Sequence, residues 1–456
     1  MTLRPHQISG IDFLLQRNNR AILADSAGLG KSRIILDALF KQQHYPVLIV
    51  CTKLGLSVWT NELKKWYDEP SVVITGPPKA RDKLLQEFLT SQINFLITNY
   101  AHMGEILQKL TPMFFPTLVL DEYHLNGLLN RKTKMYKLTK SVAKLIPHIT
   151  MLTGTPQRQT PADWYAPLSI IAPDDFTSYW KFVGKYCVQI EGFYGRTLER
   201  MPQNKNQFLS MLNKYRRRCT DKSHLPPKTR QPIPIEMTKK QKALYDQLCT
   251  DMYLNEDGQF WITPNKLTNV LRCRQLMVCP KILGFDDNGG ALNMLKDLVD
   301  EELSEGNSLV IFTPFRKALD LIEEQLKPIK DLVIFQIHGG MTHEEHTIVQ
   351  TKFQGLETKR KVVICTIKSG VSMTLTEASV EVFLGYEYGV HENTQAEDRC
   401  HRETQTKNVR IYYLLYKGNA VDERGLEILN DKNSALAIDV SREDYYKALV
   451  DKKEKV

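Results

Sequence analysis

The stretch RAILADSAGLGKSRIILDALF, residues 20–40, decides how the chain is read. RAILAD (20–25) is an apolar run of strand length, and KSRIILDALFKQQ (31–43) has a helical pattern. Between them lies SAGLGKS (26–32). Gly28 and Gly30 let the backbone turn tightly and point N–H groups inward. Lys31 is then expected to reach the β- and γ-phosphates of a nucleotide, and Ser32 to hold a magnesium ion. The usual loop has a glycine five residues before its second conserved glycine, and here that position is Asp25.

Working outward, further short apolar runs follow. They are PVLIVC (46–51), SVVIT (71–75), NFLITNY (94–100), TLVLDE (117–122) and HITMLTG (148–154). Helical patterns lie between them, which predicts a parallel sheet with helices on both faces. TLVLDEYH places Asp121 and Glu122 at the end of a strand, on the rim where open α/β sheets bind ligands. Phosphoryl transfer needs a metal to neutralise charge and a group to position the attacking water. Asp121 suits the first role and Glu122 the second. His124 is a candidate link to the γ-phosphate region or to the next motif.

From residue 161 to about 290 the alternation stops, and aromatic and basic residues dominate. Helices are expected there, broken at LPPK (225–228), because paired prolines cannot continue a helix. Alternation returns with SLVIFT (308–313), LVIFQIHG (332–339), KVVICT (361–366), SVEVFLG (379–385) and VRIYYLLY (409–416), and a final helix is expected from about Ala420. The chain therefore reads as two similar α/β domains separated by helical material.

Composition limits the alternatives. The chain has 456 residues, 42% hydrophobic and 25% charged, so a disordered tail, a collagen and a coiled coil are excluded. Lys plus Arg number 61 against 52 for Asp plus Glu, a net charge of +9 that fits an anionic partner without requiring one. The eight cysteines form no C-x-x-C pair, which argues against zinc ribbons and redox motifs. No signal peptide or membrane-spanning run is read, so a reduced cytosol is the expected compartment.

The motifs together resemble those of the superfamily 2 helicases and translocases, most closely the Swi/Snf-like branch. LRPHQISGIDFLL (3–15) is similar to the adenine-reading motif, with Gln7 as the contact it implies. ADSAGLGKS (24–32) resembles the branch's phosphate loop, which typically carries an acid where Asp25 stands. CTKLGLSVWTNELKKW (51–66) resembles a DNA-facing motif, DEYH (121–124) fills the DEAH position, and LTGTP (152–156) resembles the motif coupling hydrolysis to movement. LPPKTR (225–230), MTKKQKALYDQL (237–248) and LRCRQLMVCP (271–280) are typical of the branch. QAEDRCHRETQ (395–405) resembles its last motif, and this implies that Arg399 and Arg402 are arginine fingers. Departures are KSGVSMTLTEAS (368–379), Thr404 for a glycine, and His346 where an arginine is common.

The resemblance implies two RecA-like parallel-sheet domains with helical insertions between them. They divide as 1–156 (ATP-binding), 157–225 (helical insertion), 226–290 (linker and second insertion) and 291–456 (arginine fingers). The cofactors implied are ATP and Mg2+. ATP is expected among Gln7, Gly28, Gly30, Lys31, Ser32, Asp121, Glu122, Arg399 and Arg402, with Ser32 and Asp121 on the metal. Coupling is assigned to His124, Thr153, Gly154, Thr155 and Gln395.

Segment 214–230 carries seven basic residues against one acid, Asp221. Arg216, Arg217 and Arg218 are nucleic-acid candidates on that account, beside Lys53, Trp59 and Lys368. Solvated linker and internal brace are the other readings of the basic run, and most tryptophans are expected in the core. The expected function is an ATP-dependent DNA helicase or translocase, a monomer that recognises branched or duplex DNA by structure rather than sequence. Family and compact size point to a phage or bacterial enzyme of repair or recombination. The rivals are a DEAH-type RNA helicase, a duplex translocase that displaces bound protein, and a scaffold built on a degenerate motor.

Overall fold

The computed structural model describes residues 2–53, 55–154, 160–192, 195–251, 253–256, 259–262, 266–358, 360–369, 373–387, 390–417 and 422. The chain divides into two compact units, one running to Lys222 and the next beginning at Ser223. No helix among the described residues is long and apolar enough to cross a membrane. The final helix expected from about Ala420 falls almost wholly outside the described residues.

The first unit holds β1 (Ala21–Leu23), β2 (Val47–Cys51), β3 (Ser71–Ile74), β4 (Phe95–Asn99), β5 (Thr117–Leu120), β6 (His148–Leu152), β7 (Cys187–Gly192), β8 (Gly195–Pro202) and β9 (Arg216–Arg217). Seven of them form one sheet in the order β3-β4-β2-β5-β6-β1-β9. The recorded pairings in this sheet are parallel. Apolar residues on both faces explain why the central strands read as continuous runs. Ile22, Leu48, Leu96, Leu118 and Ile149 pack into one core, and Leu23, Ile49, Ile97 and Val119 into the core on the opposite face. The first three helices are α1 (Pro5–Leu15), α2 (Lys31–Gln42) and α3 (Gly55–Tyr67).

The second unit holds β10 (Lys228–Ile235), β11 (Tyr253–Glu256), β12 (Gln259–Ile262), β13 (Leu309–Thr313), β14 (Val333–Ile337), β15 (Lys361–Thr366), β16 (Val380–Phe383) and β17 (Val409–Tyr416). Its six-stranded parallel sheet runs β10-β17-β16-β13-β15-β14. The same two-faced burial recurs: Leu309 and Ile311 enter one core, Val310 and Phe312 the other.

Each of the eleven expected strands has its counterpart, and the fold is α/β with two parallel sheets. The intervening segment differs from the purely helical expectation. β7 and β8 form an antiparallel hairpin, as do β11 and β12. LPPKTR ends no helix; from Lys228 it becomes the edge strand β10. Pro232 and Pro234 sit at alternate positions, so both missing N–H groups fall on the side with no neighbouring strand.

Candidate active site

The turn from β1 into α2 is built by two glycines at positive φ, Gly28 at 85° and Gly30 at 70°. A side chain at Gly30 is doubly excluded, since a Cβ there lies 2.6 Å from Gln7 Nε2. Gln7 is thus held against the loop. Its Oε1 accepts from the Arg4 N–H at 3.0 Å, capping α1. Lys31 Nζ donates to the carbonyls of Asp25 (2.9 Å) and Ser26 (3.3 Å), bracing the loop.

Asp121 extends β5, its N–H donating to Val50 O at 2.8 Å. Its Oδ1 accepts from the Glu122 N–H and its Oδ2 from Trp59 Nε1, both at 2.9 Å. Tyr100 Oη donates to the Asp121 carbonyl at 2.8 Å. Burial and the neighbouring Glu122 push the Asp121 carboxyl up to about 7, while the Trp59 bond and the Lys31 charge pull it down. Lys31 and Asp121 therefore share one electrostatic site. A buried carboxylate beside a second one calls for positive charge. The hard oxygen donors Asp121 and Ser32 suit a magnesium ion that keeps most of its waters.

Glu122 adopts left-handed backbone, φ 45° and ψ 45°, a sparsely populated region for a residue with a side chain. Its Oε2 lies 3.3 Å from His124 Nδ1. The same ring nitrogen lies 2.7 Å from Thr153 Oγ1. Thr153 is tied to β1 by its N–H on Leu23 O at 3.1 Å. Glu122, His124 and Thr153 thus form a continuous polar path from DEYH to LTG, buried at its last two members. Gly154 is buried next to it, and Thr155 lies outside the described residues.

In the second unit the last motif is packed on β10. Glu397 accepts from Arg230 (2.7 and 2.8 Å), Lys228 (3.0 Å) and Tyr413 Oη (2.7 Å). Burial pushes its carboxyl up, but the cations outweigh that and hold it below the usual carboxylate range. Arg402 donates to Asp398 O and Thr374 Oγ1, both at 2.9 Å. Arg399 and Gln395 are buried. Thr404, replacing a glycine, meets Thr376 Oγ1 at 2.7 Å.

The basic run is where the structure corrects the nucleic-acid candidates. Arg216 and Arg217 form β9, parallel to β1, and face inward. Arg216 is 5% exposed, with burial and Arg218 lowering its guanidinium to about 10. Arg217 pairs with the fully buried Asp25, and Arg218 donates to Ala24 O at 3.2 Å. They brace the root of the phosphate loop and offer no open cationic face. Trp59 is also buried, serving Asp121 rather than a base. Lys53 is exposed, and Lys368 is 65% exposed with Glu387 at 3.4 Å. The role of Trp59 had no signal in the sequence, and β9 showed there only as a basic run.

A sequence profile for the SNF2-related domain matches residues 6–282, and one for the helicase conserved C-terminal domain matches residues 290–404. The chain is 27% identical to the CHD3-type chromatin-remodeling factor CHR7 of Arabidopsis thaliana, over 94% of this chain and 37% of that protein. It is 25% identical to the SWI/SNF-related matrix-associated actin-dependent regulator of chromatin subfamily A-like protein 1 of Xenopus tropicalis (92% and 43%). It is also 25% identical to the mouse DNA annealing helicase and endonuclease ZRANB3 (99% and 42%). The chain spans about two fifths of the length of these relatives. The solved Sulfolobus solfataricus SWI2/SNF2 ATPase core in complex with dsDNA is 23% identical, covering all of this chain and 96% of that one, with a TM-score of 0.44.

Proposed function

We propose, for a chain that belongs to the SNF2-related family and so carries an ATP hydrolase core coupled to DNA translocation, that its motion is used to move DNA junctions. The chemistry rests on one observation: Lys31, Asp121, Glu122, His124 and Thr153 are brought together at one end of one sheet. Lys31 neutralises the β/γ-phosphates. Ser32 and Asp121 hold magnesium, which supplies charge neutralisation of the transferring phosphoryl. Glu122 orients the attacking water and takes its proton, and His124 and Thr153 carry the state of that carboxylate toward the coupling motif. Arg399 and Arg402 supply the fingers that stabilise charge on the phosphoryl. Gln7 selects the base, while Lys53 and Lys368 meet DNA phosphates.

The preference for branched DNA follows from energetics and from one relative's name. Moving a junction breaks one base pair as it forms another, whereas open unwinding costs about 1.4 kcal/mol of stacking per step. ZRANB3 is named an annealing helicase. The test compares a four-way or three-strand junction with a long tailed duplex at equal ATP turnover, with RNA as a control. Faster processing of the junction is expected. Turnover with neither activity points to a duplex translocase that displaces protein, and stimulation by RNA alone points to a DEAH-type RNA helicase.

Conventional unwinding is the second reading, and the β7–β8 hairpin favours it. The hairpin exposes Ile190 and Met201, apolar side chains of the kind that a strand-separating wedge would need. Equal or faster unwinding of the tailed duplex selects this reading.

A further inference from the structure

Asp25 poses a problem for the site it belongs to. Lys31 Nζ rests on the main-chain carbonyl of this same residue, 2.9 Å away, so a carboxylate lies within a side chain's reach of the ammonium that must receive phosphate. The Asp25 side chain is fully buried, and Lys31 is among the charges it feels. A buried anion takes whatever cation it can reach, because an unpaired charge away from water is costly. Left to itself, Asp25 competes with nucleotide for Lys31.

The structure supplies another partner. Arg217 Nη1 pairs with Asp25 Oδ2, and Arg217 Nη2 donates to His6 O in α1. The second carboxylate oxygen, Oδ1, accepts from the Cys219 N–H at 2.7 Å. Main-chain bonds fix the same register: Ala24 N–H donates to Arg217 O at 2.8 Å and Ser26 N–H to Cys219 O at 2.9 Å. Both oxygens of Asp25 are therefore occupied by β9 and the residues just after it, and among the described residues the bonds of Lys31 go to the carbonyls of Asp25 and Ser26.

We propose that Arg217 is a positioning residue for ATP, which keeps Lys31 available to phosphate by neutralising Asp25. The role differs from merely holding the fold together, because it runs through one competing charge. Removing Arg217 frees Asp25 to capture Lys31, and removing the Asp25 charge as well relieves the capture. Arg217→Lys keeps a charge but cannot hold Asp25 and His6 O together, so its effect is intermediate.

The experiment measures ATP KM and kcat, and independently the binding of a fluorescent ADP, for wild type, Arg217→Ala, Arg217→Lys, Asp25→Asn and Asp25→Asn/Arg217→Ala. For Arg217→Ala, KM and the ADP dissociation constant are expected to rise about tenfold or more with kcat within about threefold. The double variant is expected to return to within about threefold of Asp25→Asn alone, a non-additivity that only coupling through Asp25 produces. An unchanged KM in Arg217→Ala overturns the proposal. So does a double variant no better than Arg217→Ala, with thermal midpoint falling in step. If Arg217→Ala does not fold, Arg217→Lys decides: KM higher than wild type and restored by Asp25→Asn supports the role, and an unchanged KM overturns it. ADP binding needs no DNA, so failure here is distinct from failure of the junction assay.

Discussion

The outermost strands β9 and β10 solve the same problem in the two sheets with different margins. Each is a basic strand running parallel to its neighbour at a sheet edge, and each fastens a buried acid, Asp25 after β1 and Glu397 in QAEDRCHRETQ. Asp25 has one guanidinium and one N–H, and burial wins, leaving its carboxyl above the ordinary value. Glu397 has Lys228, Arg230 and Tyr413, and there the cations win, leaving its carboxyl below the ordinary value. At Asp25 the nearby cations fall short of the desolvation, whereas at Glu397 two cations and a hydroxyl overcome it. The first clamp is poised, and the second is fixed.

The largest effect expected from breaking this contrast is Glu397→Ala. It removes the carboxylate that Lys228 and Arg230 share, leaving Lys228 with Asp398 at 3.1 Å, and should cost the second unit about 3–5 kcal/mol, read from urea midpoints. A loss under about 1 kcal/mol would mean the network contributes little. Asp25→Asn should cost less, about 1–2 kcal/mol, because the amide oxygen still accepts the Cys219 N–H and the lost charge was near balance. Equal losses at the two sites would erase the difference between the clamps.

Acidity sharpens the comparison in opposite directions. Glu397 has a depressed folded pKa, so its contribution is present above the ordinary value of 4.5 and is lost as pH falls through the folded value. The stability gap between wild type and Glu397→Gln should therefore narrow on acidification. Asp25 has a raised folded pKa, so the native state takes up its proton first. Wild type should accordingly gain on Asp25→Asn as pH falls toward 3.8. Denaturant midpoints at several pH values report both gaps, and parallel trends would contradict the contrast. The smallest effect is expected at Arg216, whose buried Nε and Nη1 have no hydrogen-bond partner among the described residues. Arg216→Met should alter stability by less than about 1 kcal/mol in either direction, since an apolar replacement avoids burying charge.

The sheets were legible in the sequence because their strands are buried on both faces and read as unbroken apolar runs, as VLIVC and KVVICT do. The tight turn from β1 into α2 was legible because its glycines meet a backbone requirement that few residues satisfy. Edges were not legible. β9 is two residues long and basic, so only its charge showed, and that charge pointed outward to nucleic acid when the chain had turned it inward. β10 contains prolines that read as a break, although an edge strand tolerates them where no neighbour pairs. Trp59 stood among the nucleic-acid candidates because nothing local indicates that its N–H meets an acid sixty-two residues away. Long-range polar partners leave no period in a sequence.

The left-handed backbone at Glu122 has a consequence for anyone who sets out to make this molecule more robust. Asparagine and glycine adopt that conformation with less strain, so a screen that rewards heat resistance alone will favour them at this position. Both discard the carboxylate assigned to the water. Libraries sorted by survival would then drift toward well-folded proteins that bind nucleotide and turn nothing over. Directed evolution of this chain should select on product formed from its first round, with residue 122 held fixed.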